Sequence, residues 1–287
     1  MAEAALPANP LVEAGLLTPI GSDGLYARSR AYEEVTDALQ RLLGGMPQVR
    51  GSEALGLPSL ITAKELEAHG YFGNFPQLAA RVYTCHCEGT ERAFQPSQLA
   101  LLPAACYPLY PLLAARGVLT QARVFDVRAS CFRNEPSREP WRLQAFRMRE
   151  FVFAGAAAGA LEFRAAMMEA AAGLAAALGL RAEMEEAFDP FFGRANNILK
   201  AAQLESGAKF ELVAAVEEGR FAFASFNSHG EMFGAKWGIR LADGTPASTC
   251  CNAFGIDRMA VALFLTHGVD ARRWPDSVRD ILQLHAG

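Results

Sequence analysis

The chain has 287 residues, 51% of them hydrophobic and 20% charged, with a formal net charge of −4. That is enough apolar material for one large core. The acidic balance excludes a chain that grips a nucleic-acid backbone over its whole surface, because each phosphate contact needs a cation. The start of the chain shows no basic stretch leading into an apolar run. The alanine-rich stretch near Ala154 to Leu180 is interrupted by Glu162, Arg164 and Glu169, which argues against a bilayer span. A cytoplasmic protein with no membrane partner is expected, its cysteines reduced, metal-bound or catalytic rather than paired in disulfides.

In chain order, residues 1–27 read as an irregular segment and residues 28–287 as a single domain. Arg28 to Leu43 reads as an amphipathic helix with Tyr32, Val35, Leu39 and Leu42 or Leu43 at helical spacing, ended by Gly44 and Gly45. Ile61 to His69 reads as a second helix in which Thr62 and Glu65 have capping-box spacing, followed by a turn from Gly70 to Pro76. From Ala80 onward, short apolar runs alternate with turns, as in an antiparallel sheet. Candidate strands are Arg81 to Cys85, Arg92 to Pro96, Ala122 to Phe125, Ala129 to Glu135, Gln144 to Ala154, Phe210 to Ala215, Phe221 to Ser228 and Trp237 to Leu241. Helices are expected at Leu112 to Arg116, at Leu161 to Leu178 before Gly179, and from about Phe254 to His267. The fold class is therefore α+β, an antiparallel sheet flanked by helices, with no repeats and no long linker.

Two segments carry chemistry. In the first, Cys131-Phe132-Arg133-Asn134-Glu135 leads through a polar loop to Arg142, Phe146, Arg147, Arg149 and Glu150. If both flanks are strands, Arg133 and Glu135 share one face, and so do Arg142, Phe146 and Glu150. That face offers guanidinium groups for phosphate, a carboxylate for an exocyclic amine and a ring for a base. A solvated hairpin with ordinary ion pairs fits the same residues. The second segment is Gly255-Ile256-Asp257-Arg258 opening an apolar helix, and an ordinary buried helix with one solvated arginine also fits it.

Together, in this order and more than a hundred residues apart, the two segments resemble motifs 2 and 3 of class II aminoacyl-tRNA synthetases. Leu102-Pro103-Ala104-Ala105-Cys106 lies where seryl-type enzymes read the substrate amino group, with Cys106 in place of their glutamate. Cys106, Glu150 and Cys251 sit at places matching the zinc ligands of the atypical methanogenic seryl-tRNA synthetases and of the related bacterial amino acid:[carrier protein] ligases. The likeness extends over Ile61 to Leu78, Asp189 to Leu212 and Ser225 to Gly238, and runs from about residue 28 to residue 275. It includes no anticodon or tRNA-binding domain.

The resemblance implies one zinc ion held by Cys106, Glu150 and Cys251, with an open position for the amino group of the substrate. Small buried cysteines and a Glu150–arginine pair are the alternative. It further implies that Arg133 and Arg142 bind ATP phosphate or the amino-acid carboxylate, and that Glu135 reads the adenine edge. Phe146 would stack on adenine, and Arg258 would stack on its other face or meet the γ-phosphate. Ser225 and Asn227 would line the substrate strand. Standard seryl enzymes carry a magnesium-binding glutamate where this chain has Phe221, which leaves Glu211 as a candidate ligand for the Mg²⁺ that accompanies ATP. Cys85-His86-Cys87 is a second set of soft ligands, but in a strand His86 faces away from both cysteines. Cys131 and Cys250 read as packing residues.

The implied activity is ATP-dependent activation of a small amino acid, glycine or alanine, as an adenylate, followed by transfer to the phosphopantetheine thiol of a small acyl or peptidyl carrier protein. The Phe191 to Ser206 stretch, with Arg194 and Lys200, is the candidate carrier-docking helix. An ordinary surface helix fits it equally. The implied assembly is a homodimer. The competing readings are a truncated synthetase acting on tRNA, against which the acidic balance counts, a zinc-binding non-catalytic paralogue, and a zinc-dependent scaffold.

Overall fold

The computed structural model describes residues 9–89, 91–189 and 207–284. The strands are β1 (Leu17–Pro19), β2 (Tyr26–Arg28), β3 (Glu53–Gly56), β4 (Leu60–Thr62), β5 (Arg81–Glu88), β6 (Glu91–Leu101), β7 (Arg123–Phe132), β8 (Ala145–Gly155), β9 (Ala182–Glu186), β10 (Lys209–Val216), β11 (Gly219–Gly230) and β12 (Ser248–Gly255). Among the described residues, one seven-stranded sheet has the order β3-β7-β8-β12-β11-β10-β9, a three-stranded sheet has the order β4-β6-β5, and β1 pairs with β2. All pairings in the large sheet are antiparallel except β3 with β7.

The alternation of side chains divides the core into two layers. One face of the large sheet packs against the long helices. Arg30–Gly44, capped by Ser29 accepting from the Tyr32 amide, buries Tyr32, Val35, Ala38, Leu39 and Leu43, and Tyr32 stacks on Phe264 of Ile256–His267 at 5.7 Å. The alanine-rich Ala157–Ala177 helix lies on the same side, its small side chains allowing close approach to Phe221, Phe223 and Phe226. The opposite face is covered by the short helices Ala63–Ala68, Leu109–Ala115 and Met232–Trp237. It is the face that Cys251, Ala253, Met148 and Phe146 share.

Several expectations need correction. Residues 1–27, expected to be irregular, carry from Asn9 onward a short helix, Pro10–Glu13, and the β1–β2 pair, and they bury Leu11 and Leu17 in the main core. The two strands expected at Ala122 to Phe125 and Ala129 to Glu135 are the single strand β7. Asp126, in the gap between them, is buried and paired with the equally buried Arg149 of β8, whose guanidinium also reaches the Gln40 carbonyl. Trp237 to Leu241 is not a strand: Met232–Trp237 is a helix that stops at Gly238 in the left-handed region. The last helix starts at Ile256 rather than Phe254, because Phe254 and Gly255 still pair in β12. The expected docking helix, Phe191 to Ser206, lies outside the described residues. Among the described residues no helix is long and apolar enough to cross a membrane.

The helix Met232–Trp237 presses on the sheet at Gly234, where a Cβ would overlap the Ala247 backbone carbonyl. Because backbone must shift to make room, Gly234→Ala is expected to cost roughly 3 kcal/mol, read as a lower denaturation midpoint with an unchanged m value.

Candidate active site and metal centre

The register of β8, β12, β11 and β10 lays out the site. Glu150 pairs with Ala253 and Val152 with Cys251; Cys251 pairs with Asn227 and Ala253 with Ser225; Asn227 pairs with Lys209 and Ser225 with Glu211. Paired residues point to the same side of a sheet. One face therefore carries Glu150, Cys251, Ser225, Asn227, Lys209 and Glu211 in two adjacent rows, with Phe146 further along β8. Adjacent Cys250 points the other way, into the cluster with Phe153 and Ala160.

Cys106 reaches this face from the loop after β6. The ligand atoms of Cys106, Glu150 and Cys251 all lie within 4.8 Å of one another, and all three residues are buried. Glu150 is fixed from two sides. Its Oε1 accepts from the Ala105 amide at 2.7 Å, its Oε2 accepts from the Cys106 amide at 3.2 Å, and the Cys251 thiol donates to Oε2 at 3.0 Å. The hydrogen bond it donates to Cys106, with burial, pushes the Cys251 thiol well above its ordinary pKa. For Cys106 the bond to Cys251 acts downward, but burial and the charge of Glu150 outweigh it. Two thiols and a carboxylate in a closed pocket form a donor set suited to a borderline-soft divalent cation such as zinc, which would displace the thiol protons. The residues fit the implied ion.

Behind Cys106 lies a layer that the sequence reading missed. The Tyr110 hydroxyl bonds the Cys106 side chain and approaches His229 Nδ1 at 3.5 Å, and that nitrogen also meets Thr249 Oγ1 at 3.0 Å. Burial lowers the His229 pKa to about 4, so the ring is neutral near pH 7. Outer groups of this kind orient metal ligands. Lys209 was also missed. Buried, it pairs with Asp189 at 2.6 Å and with Glu211 at 3.0 Å; burial alone would lower its pKa, and the two carboxylates outweigh burial and raise it. Its signal was the strand spacing Lys209-Phe210-Glu211, which a strand starting at Phe210 cuts in two. Glu211, the candidate magnesium ligand, is engaged with this lysine, and Phe221 stacks on Trp141 at 4.7 Å.

The arginines gather beside the metal-ligand cluster, with Arg133 just past the end of the strand expected to carry it. Arg133, Glu135 and Arg142 occupy the loop between β7 and β8. The Arg133 Nε donates to the Pro103 carbonyl at 3.1 Å, and its guanidinium sits 5.4 Å from the Phe146 ring centre. Arg142 pairs with Glu139 at 2.7 Å and with Glu135 at 3.4 Å. Arg258, in the first turn of its helix, donates to the Trp141 carbonyl at 3.2 Å and the Ala222 carbonyl at 3.0 Å. Burial, then repulsion from Arg133 and Arg142, lowers the Arg258 pKa to about 10. Guanidiniums close enough to repel one another form a pocket that an anion such as a polyphosphate relieves. Asn227 donates to Ser225 Oγ at 3.3 Å, between this pocket and the cysteines.

Asp257 holds the assembly together. Fully buried, it accepts from Arg28 Nε at 3.0 Å, from the Arg147 amide at 2.6 Å, from Arg147 Nη2 at 2.7 Å and from the Tyr32 hydroxyl at 3.3 Å. It thereby ties the N-terminal hairpin and helix to β8, next to Arg258.

No family model matches the chain. It is 43% identical over 289 residues to amino acid–[acyl-carrier-protein] ligase 1 of Bradyrhizobium diazoefficiens, covering 94% of this chain and 88% of that protein. It is 41% identical to ligase 2 of the same organism, covering 97% and 89%. A type-2 serine–tRNA ligase of Methanopyrus kandleri is 25% identical over 192 residues, 62% of this chain and 36% of that protein. Among solved structures, the M. kandleri seryl-tRNA synthetase bound to Aquifex aeolicus tRNASec superposes with a TM-score of 0.80 at 19% identity, over 96% of this chain and 59% of that one. The prolyl-tRNA synthetase of Cryptosporidium parvum superposes with a TM-score of 0.68 at 17% identity, over 90% and 51%. The structural matches establish a class II synthetase-like fold, and the sequence matches establish that this chain is a ligase belonging to the amino acid–[acyl-carrier-protein] ligase family.

Proposed function

We propose that the chain activates a small amino acid, glycine or alanine, with ATP and passes it to the phosphopantetheine thiol of an acyl or peptidyl carrier protein. The observation that carries this reading is the buried Cys106–Glu150–Cys251 group on the sheet face shared with Ser225 and Asn227, beside three converging arginines. In the first step the amino-acid carboxylate attacks the ATP α-phosphorus, the bond to the β-phosphate oxygen breaks, and aminoacyl adenylate and pyrophosphate form. Arg133, Arg142 and Arg258 hold and neutralise the phosphates, and Mg²⁺ accompanies ATP. Charge held in place before reaction stabilises the transition state without proton transfer from the protein. Glu135 reads the adenine edge and Phe146 offers the ring for stacking. Bound zinc supplies a Lewis-acid site for the neutral amino group of the substrate. Cys106, Glu150 and Cys251 hold it, and Ser225 and Asn227 orient the rest of the amino acid. In the second step the carrier thiol attacks the adenylate carbonyl, forming a thioester as AMP leaves and the thiol proton goes to solvent.

The site acts in a cytoplasmic homodimer in this reading, and the segment Phe191 to Ser206 receives the carrier. ATP–pyrophosphate exchange across the amino acids, followed by transfer assays offering holo carrier protein or tRNA, tests the proposal. Exchange with glycine or alanine and labelling of the carrier are expected. Labelling of tRNA alone would make the chain a truncated synthetase, and exchange with no amino acid would make it a non-catalytic zinc protein.

A further inference from the structure

The Cys85-His86-Cys87 motif is not used by the active site, and the fold places it elsewhere. It lies on β5, the outer strand of the three-stranded sheet, toward the end of the β5–β6 ribbon where Cys85 faces Phe94 and Cys87 faces Arg92 in register. Both cysteines are free and exposed. Strand alternation puts them on one side and His86 on the other, and Cys85 Sγ stands 3.7 Å from Cys87 Sγ. A tetrahedral d¹⁰ cation with metal–sulfur bonds of about 2.3 Å needs two sulfurs about 3.8 Å apart. The pair already has that bite. The ladder to β6 fixes the spacing of the two Cα atoms, so little backbone freedom is lost on chelation.

We propose that Cys85 and Cys87 form a second thiolate site, separate from Cys106, Glu150 and Cys251, which chelates a thiophilic divalent cation such as Zn²⁺ or Cd²⁺ at the surface. On binding, two S–H bonds break, two metal–sulfur bonds form and two protons pass to solvent, while water completes the coordination. Because only two protein ligands take part and both are exposed, this ion exchanges faster and yields to a chelator before the one in the buried group.

The test titrates Cd²⁺ into the metal-free full chain and follows the ultraviolet cadmium–thiolate band, with metal content after equilibrium dialysis as the second readout. The unsubstituted chain is expected to take one equivalent more than the Cys85→Ser/Cys87→Ser variant. Each single variant is expected to bind that equivalent roughly tenfold or more weakly, since the second sulfur no longer binds intramolecularly. Cys106→Ser is expected to lose the buried equivalent and keep the surface one, so that the two sites are scored independently. Both surface substitutions fall on exposed positions, and circular dichroism checks that the fold is kept. Equal stoichiometry and equal affinity in the unsubstituted chain and the double variant would overturn the proposal, whatever the buried group binds.

Discussion

Glu150→Gln is expected to abolish tight zinc binding and to lower amino-acid-dependent ATP–pyrophosphate exchange by roughly 10³-fold. Four-ligand zinc sites bind with about 10–16 kcal/mol, so one ligand accounts for about 2.5–4 kcal/mol, which corresponds to a factor on the order of 10² to 10³. The carboxylate also receives the Ala105 and Cys106 amides and the Cys251 thiol. Glutamine retains one carbonyl acceptor but turns the other oxygen into a donor facing an amide or a thiol. The loss therefore falls on the arrangement of both cysteines as well as on the charge. Metal content by mass spectrometry and exchange rates across substrate concentrations measure it. A variant that keeps its zinc and its exchange rate would show that Glu150 only buttresses the Leu102–Cys106 loop.

Asp257→Ala is expected to destabilise the fold by about 3 kcal/mol, because it removes the fully buried acceptor shared by Tyr32 and the half-buried Arg28 and Arg147. That is a large part of the 5–15 kcal/mol by which a domain is ordinarily stable. Arg147 keeps only Glu33 at 2.6 Å, and Arg28 keeps only the Ala145 carbonyl at 2.8 Å. Burial alone would lower the pKa of Arg147; its bonds to Asp257 and Glu33 outweigh burial and raise it. Asp257→Asn retains the shape and one acceptor and is expected to lose less. Since Arg258 is the next residue, exchange activity should fall in both variants at temperatures where both remain folded. A denaturation midpoint unchanged in Asp257→Ala would mean that the N-terminal hairpin does not depend on this carboxylate.

Why the sequence exposed some of this and hid the rest is visible in individual residues. The Arg30–Gly44 helix was legible because Ser29, the spacing of Tyr32, Val35 and Leu39, and Gly45 all act locally. Thr62 and Glu65 form the capping box that their spacing suggested. The gap left between Phe125 and Ala129 holds Asp126, whose partner Arg149, 23 residues on, lets it lie buried within one strand. Arg133 and Glu135 were expected at the end of a strand, yet β7 stops at Phe132 and leaves both in the loop.

The chain by itself determined the chemical types at the site. Two thiols, a carboxylate, three arginines and a Ser-x-Asn pair stood out through the resemblance of their segments to a known family, since spacing alone fitted an ordinary hairpin and buried cysteines as well. The tertiary structure decided which distant groups meet. Cys106, Glu150 and Cys251 lie on three separate elements, and their convergence follows from the β8–β12 register and from two amides that pull Glu150 to the loop. The Tyr110–His229–Thr249 layer and the grip of Asp257 on the N-terminal hairpin were likewise invisible in the sequence. Each joins residues far apart in the chain through burial, and burial is a property of the packed molecule that no local pattern encodes.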